Sequence, residues 1–164
     1  MSLRIVVADE ANARFYDLER RTDLLPGRGV LQVVGSLADP LARLHDRDLK
    51  SDRPGRVYDH APTAGARRGA TAHHATGGER SPREHEAQTF AHRIAAQLQH
   101  DRAQGAPEHL VLVAAPHFLG LLRDALPDSL RKLVIEEIHK DLVHEPGEAL
   151  QVHLAAMLCP PQPQ

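Results

Sequence analysis

The sequence predicts an α/β fold, three layers deep, with helices on both faces of a five-stranded mixed sheet in the order 3-2-1-4-5. Three observations carry this. Leu3–Ala8 and His109–Ala114 are short, nearly continuous apolar runs, the pattern of central strands buried on both faces. The stretch from Asp9 to Asn12 is too short for a helix, so the first two strands form an antiparallel hairpin. A long helical pattern then separates the first sheet-forming region from His109–Ala114, which suits a right-handed crossover between parallel neighbours.

Each element has its own signal. After Leu3–Ala8, Ala13–Leu18 reads as a second strand with bulk at Phe15 and Leu18. Pro26-Gly27-Arg28-Gly29 makes a turn, and Val30–Val34 is a third strand stopped by Gly35. Asp39–His45 is a helix candidate with Leu41 and Leu44. The best-specified helix is Arg83–Gln104. Ser81 suits the N-cap, Pro82 the first helical position, and Glu84 can complete a capping box. Ala87, Phe90, Ala91, Ile94, Ala95 and Leu98 lie on one face. Gly105 can end the helix in a left-handed conformation, and Pro107 forbids its continuation.

Beyond His109–Ala114, Pro116 opens a helix running through Ala125. Gly120 in its middle costs roughly 1 kcal/mol against alanine, which predicts a close approach there. Pro127 ends that helix, and Asp128 or Ser129 can cap a further turn. Leu133–Ile138 is a fifth strand, placed at an edge by Glu136 and Glu137. A last helix follows Pro146 and Gly147 through about Leu158, and residues 159–164 form a frayed tail. Strand order and connections match the ribonuclease H-like layout. A doubly wound, flavodoxin-like sheet is the alternative, but it needs a helix between the first strands.

Bulk composition narrows the function classes. The chain has 164 residues, the size of one domain spanning residues 1–158. Its core must be aliphatic, since aromatic residues make up 3% and tryptophan is absent. A net charge of −2 argues against a globally basic nucleic-acid binder. The lone Cys159 fits a reducing compartment, and no apolar run reaches membrane-spanning length. Together with the absence of a secretory pattern at Met1–Ala8, this gives a cytoplasmic expectation.

Charge is nevertheless concentrated. Periodicity vanishes from Lys50 to Arg83, where prolines and glycines interrupt the chain repeatedly. Lys50–Arg83 holds seven positive and three negative residues, about +4, and most of it is a loop at about 50–82. Backbone N–H groups and arginines both bind phosphate, so Arg53, Arg56, Arg67, Arg68 and Arg80 are candidate RNA contacts. Solvated surface charge, or a salt bridge from Arg53 to Asp48 or Asp52, is the plainer account.

Catalytic patterns are sparse. Asp9 ends the first strand and Asp141 follows the fifth; in a ribonuclease H-like nuclease such carboxylates hold Mg²⁺. Asp9 also suits a simple turn cap. Asp17 and Glu19 are nearby acids on the second strand, where they can face water. His85 and His92 lie two helical turns apart, too far to share an ion unaided, and no zinc-type spacing occurs. Neither a metal site nor a cofactor is expected. Ser51, Ser81 and Ser129 lack a hydrolase context, and Gly27-Arg28-Gly29 is followed by no helix.

Three segments together resemble the bacterial host attachment protein family: Ile5–Asp9 with Ala13-Arg14-Phe15, Asp46–Arg56, and Leu110–Arg123 closing with Lys140-Asp141-Leu142. The resemblance spans about Leu3 to Leu158. Departures are Ala115-Pro116-His117, where the family commonly has two prolines and an arginine, and Val143 in place of threonine. That family is in turn similar to the middle domain of archaeal and eukaryotic peptide-chain release factors, whose Gly-Gly-Gln loop precedes a long helix. Here Gly77-Gly78-Glu79 stands at that place, and glutamate lacks the amide donor of glutamine. The resemblance implies a non-enzymatic protein acting inside the cell through RNA, ribosome or protein contacts. Its alternatives are a release-factor-like ribosome rescue factor and a metal-dependent nuclease.

Overall fold

The structure, a computed structural model, describes residues 2–19, 30–42 and 81–158. Its elements in chain order are β1 (Leu3–Ala8), β2 (Asn12–Glu19), β3 (Val30–Ala38), α1 (Pro82–Ala103), β4 (His109–Ala114), α2 (Pro116–Ala125), α3 (Asp128–Arg131), β5 (Val134–His139) and α4 (Gly147–Leu158). The five strands form one sheet in the order β3-β2-β1-β4-β5. β1 pairs antiparallel with β2 and parallel with β4, and β5 lies parallel to β4. The expected fold class is what the chain adopts.

Alternation along the strands divides the core in two. Val6 and Ala8 of β1, Ala13 and Phe15 of β2, and Leu110, Leu112 and Ala114 of β4 face α1 and α2. Ile5, Val7, Tyr16, Val111, Val113 and Ile138 face the other way, onto Leu150 and Leu154 of α4 and onto Leu142 and Val143. This two-sided burial is why β1 and β4 read as nearly continuous apolar runs.

The α1 stripe is buried as the helical spacing requires: Ala87, Phe90, Ala91, Ile94, Ala95 and Leu98. Phe90 meets Phe118 of α2 with ring centroids 6.2 Å apart. Ser81 Oγ accepts a hydrogen bond from the Glu84 amide at 3.2 Å, and Gly105 takes a φ of 99° just past the helix.

Local expectations fail in four places. β3 does not stop at Gly35; it runs to Ala38 because all of β2 offers it a partner. Gly35 instead sits at a register shift, pairing with Phe15 while Val33 pairs with Tyr16, so Val34 is an inserted bulge residue. Gly120 has no close neighbour among the described residues: an added Cβ would meet none of their atoms within 4 Å. The one-turn α3 starts after Pro127 without a side-chain cap from Asp128 or Ser129. Asp17 is drawn to a buried arginine, Arg4, rather than left to water. Of the Asp39–His45 helix candidate, Pro40, Leu41 and Ala42 are helical. The rest of that helix, the basic loop and the tail at 159–164 lie outside the described residues, apart from the loop's last residues, Ser81 and Pro82.

Candidate functional site

The carboxyl ends of parallel strands are where open α/β sheets place their sites, because the connecting segments diverge there. In this chain β1, β4 and β5 end together, and β3, antiparallel to β2, ends on the same side. Asp39, just past β3, donates its amide to the Ala11 carbonyl at 2.7 Å. Ser81 and Arg83 start α1 beside Glu10, whose Oε2 lies 3.3 Å from Arg83 Nε. The described residues that flank segment 43–80 therefore both reach the β1–β2 turn.

That turn is tied by side chains. Asp9 Oδ1 accepts hydrogen bonds from the Ala11 and Asn12 amides at 2.8 and 2.6 Å, and the Asp9 amide donates to the Asn12 carbonyl at 2.9 Å. Asp9 Oδ2 lies 3.0 Å from His144 Nε2, which fastens the segment after β5 to the end of β1. Glu10 bridges Arg83 and His117, the latter at 3.4 Å in the first turn of α2. Asp39 Oδ1 accepts from the Leu41 amide and faces Arg93 at 3.9 Å, while Arg93 also lies over the Phe90 ring. Arg14 donates to the Glu145 carbonyl at 3.2 Å. Four connections thus meet at one end of the sheet, with Asp9, Glu10 and Asp39 each facing a nearby cation or imidazole.

This geometry gives Asp9 the turn-capping role. One oxygen serves two backbone amides and the other faces a histidine. Asp141 is exposed. Among the described residues no group of three or more histidine, cysteine, aspartate or glutamate side chains could hold a metal ion. His85 and His92 are exposed on α1. Arg53, Arg56, Arg67, Arg68, Gly77, Gly78, Glu79 and Arg80 lie outside the described residues. Glu10, Arg83, His117 and His144 carry no residue pattern that marks them as site residues. Their one signal is position, in the turns that follow predicted strands or at a helix start.

A second polar cluster sits at the other end of β1. Arg4, 6% exposed, donates from Nε to Asp17 Oδ1 at 2.7 Å, from Nη2 to Asp17 Oδ2 at 3.0 Å, and from Nη1 to Asp101 of α1. Gln97 donates to the other Asp101 oxygen at 2.8 Å. The Asp17 hydrogen bond, and the charges of Asp17 and Asp101, raise the Arg4 pKa above its ordinary value against the opposing effect of burial. A lone arginine inside the apolar run Leu3–Ala8 was the sequence signal for this cluster.

Comparison with known proteins gives one informative match. Residues 4–154 match the family described as "Protein required for attachment to host cells". No curated protein matches the chain. A solved structure titled "Archaeal protein" is similar at a TM-score of 0.41 and 9% identity, covering 95% of this chain. This chain spans 36% of that protein's length.

Proposed function

The chain belongs to the family of proteins required for attachment to host cells, and from that premise we propose that it supports attachment indirectly, as a non-enzymatic RNA- or ribosome-binding protein inside the cell. The contact is made by the basic segment Lys50–Arg83, with Arg53, Arg56, Arg67, Arg68 and Arg80 on phosphates and Gly77-Gly78 allowing close backbone approach. One observation carries this reading. The described residues flanking segment 43–80 both sit at the carboxyl end of the sheet, where Asp9, Glu10 and Asp39 already face His144, Arg83 with His117, and Arg93. Arg83 and Arg93 offset two of those three acids, and segment 43–80, with eight positive and five negative residues, adds an excess of about +3 that outweighs the third. Arginine forks suit phosphate, and the attraction is independent of sequence.

A ribosome rescue factor is the second reading. It is favoured by Gly77-Gly78-Glu79 standing just ahead of Ser81, the N-cap of a 22-residue helix. Glu79 cannot supply an amide donor, so this reading retains ribosome contact without ester hydrolysis. A nuclease is disfavoured, since the Asp9 carboxylate is already engaged by two amides and His144.

The test is a pull-down from native cytosol with and without RNase, alongside filter binding of a single-stranded RNA. Binding should fall to background when residues 50–80 are replaced by a glycine–serine linker. RNase-insensitive capture of a protein, or RNA binding that survives the replacement, would overturn the RNA assignment. Deleting the gene should reduce attachment while the protein fractionates with cytosol; folded protein on the cell surface contradicts the indirect role.

A further inference from the structure

We propose that the outer edge of β3, unpaired among the described residues, and the cleft beneath α1 form a docking site for an extended peptide carrying a lysine or arginine. β3 is the terminal strand of the sheet and pairs with β2 alone among the described residues. A nine-residue strand presents an edge about 30 Å long. Half of its N–H and C=O groups point away from β2, ready to pair with another strand. Edges of this kind are normally guarded by charge, proline or a bulge; Val30–Ala38 contains no charge and no proline, and its one irregularity is the bulge at Val34. Val33 and Val34, adjacent at the bulge, are 66% and 44% exposed.

Beside this edge lies a cleft of about 210 Å³ lined by Val34–Leu37, Phe15, Arg4, Gln97 and Asp101. Its origin is position 35. Gly35 pairs with Phe15, so the two residues share the α1-facing side of the sheet, and glycine leaves the space beneath Gln97 and Asp101 unfilled. Two carboxylates, Asp17 and Asp101, surround one guanidinium, Arg4, which leaves the cluster one negative charge in excess. Asp101 retains a side-chain exposure of 20%. An added strand sends alternate side chains to the α1 side, and a cation there meets that excess charge. Main-chain pairing supplies affinity and the charged cleft supplies selectivity, as in other strand-addition complexes. Charge complementarity chooses a basic peptide over a second copy of this chain, whose own β3 has no basic residue.

The probe is a labelled octapeptide of alternating threonine and valine with one central lysine, followed by fluorescence polarisation and amide NMR of the full chain. The lysine peptide should bind at least about tenfold more tightly than its glutamate counterpart. Its shift changes should centre on Val34–Leu37 and Gln97–Asp101. Gly35→Lys supplies the cation internally. An added Cβ there lies 3.9 Å from Phe15 Cδ2, ordinary contact distance, so the variant should fold and lose lysine-peptide binding. Gly35→Ser, which fills less of the cleft and adds no charge, should keep most of it. Equal binding of the glutamate peptide, unchanged binding in Gly35→Lys, or shift changes confined to other surfaces would overturn the proposal. So would no saturable binding, or concentration-dependent dimerisation with β3 amides protected, which would assign the edge to a second copy.

Discussion

At the scale of single residues, the roles of the acids were the least legible part of the sequence. Asp9 ends a strand where a ribonuclease H-like nuclease would place a metal ligand, and the same position suits a turn cap. The choice rests on two amides 2.8 and 2.6 Å from one oxygen, contacts that exist only once the hairpin has closed. Asp9→Ala should therefore cost about 1–3 kcal/mol in urea unfolding, since it leaves two amides without their acceptor. Asp9→Asn keeps the acceptor oxygen and should cost less. Glu137 illustrates the same limit. The Arg123 hydrogen bond, from Nε to Oε1 at 3.1 Å, holds its carboxyl below the ordinary value. A depressed folded-state pKa contributes stability above the unfolded glutamate value, near 4.3, and loses it as pH falls through the folded value. Arg123 is 47% exposed, so solvent screens the pair and its contribution at neutral pH is small. Glu137→Gln should show that small loss at pH 7 and converge with the parent protein in acid, as read from urea midpoints across pH.

At the scale of elements, local chemistry was a reliable guide where one residue controls one backbone group. Ser81 accepts the Glu84 amide, and Ser81→Ala should destabilise the protein by about 1 kcal/mol without shifting the helix register. Phe90 is fully buried between the sheet and α2, so Phe90→Ala should cost about 3–5 kcal/mol in the same assay. Local chemistry misled where a neighbour decides. Gly35 reads as a strand terminator, but β2 continues past it and recruits the residues beyond, with Val34 bulged to accommodate the twist. Gly120 reads as a close-approach position, yet the space above it holds no atom of the described residues within 4 Å.

At the scale of the whole molecule, charge is arranged by the topology more than by composition. A net charge of −2 conceals a basic segment whose flanks meet at the carboxyl ends of the parallel strands. If that segment binds RNA through phosphates, binding should weaken steeply with salt. Each arginine removed should lower the salt slope by about 0.7 for a single strand. Arg67→Ala with Arg68→Ala should thus flatten the slope by about 1.4 and weaken binding across unrelated RNA sequences, as measured by filter binding from 50 to 200 mM salt. An unchanged slope would place both arginines outside the interface.

The sequence by itself determined the sheet order, the antiparallel start, the long helix with its cap and buried stripe, and the edge position of β5. These follow from periodicity, the short span between Ala8 and Ala13, and glycine, proline and serine at element ends, which are properties of neighbouring residues. Tertiary structure alone decided that Arg4 is shared by Asp17 and Asp101, that Glu10 joins Arg83 to His117, and that His144 holds Asp9. The Arg4–Asp101 pair is separated by 97 positions and the Asp9–His144 pair by 135, so no local pattern encodes them. They arise because parallel pairing of β1 with β4 and of β4 with β5 brings distant connections to one end, and because α1 crosses the sheet with its last turns above the start of β1.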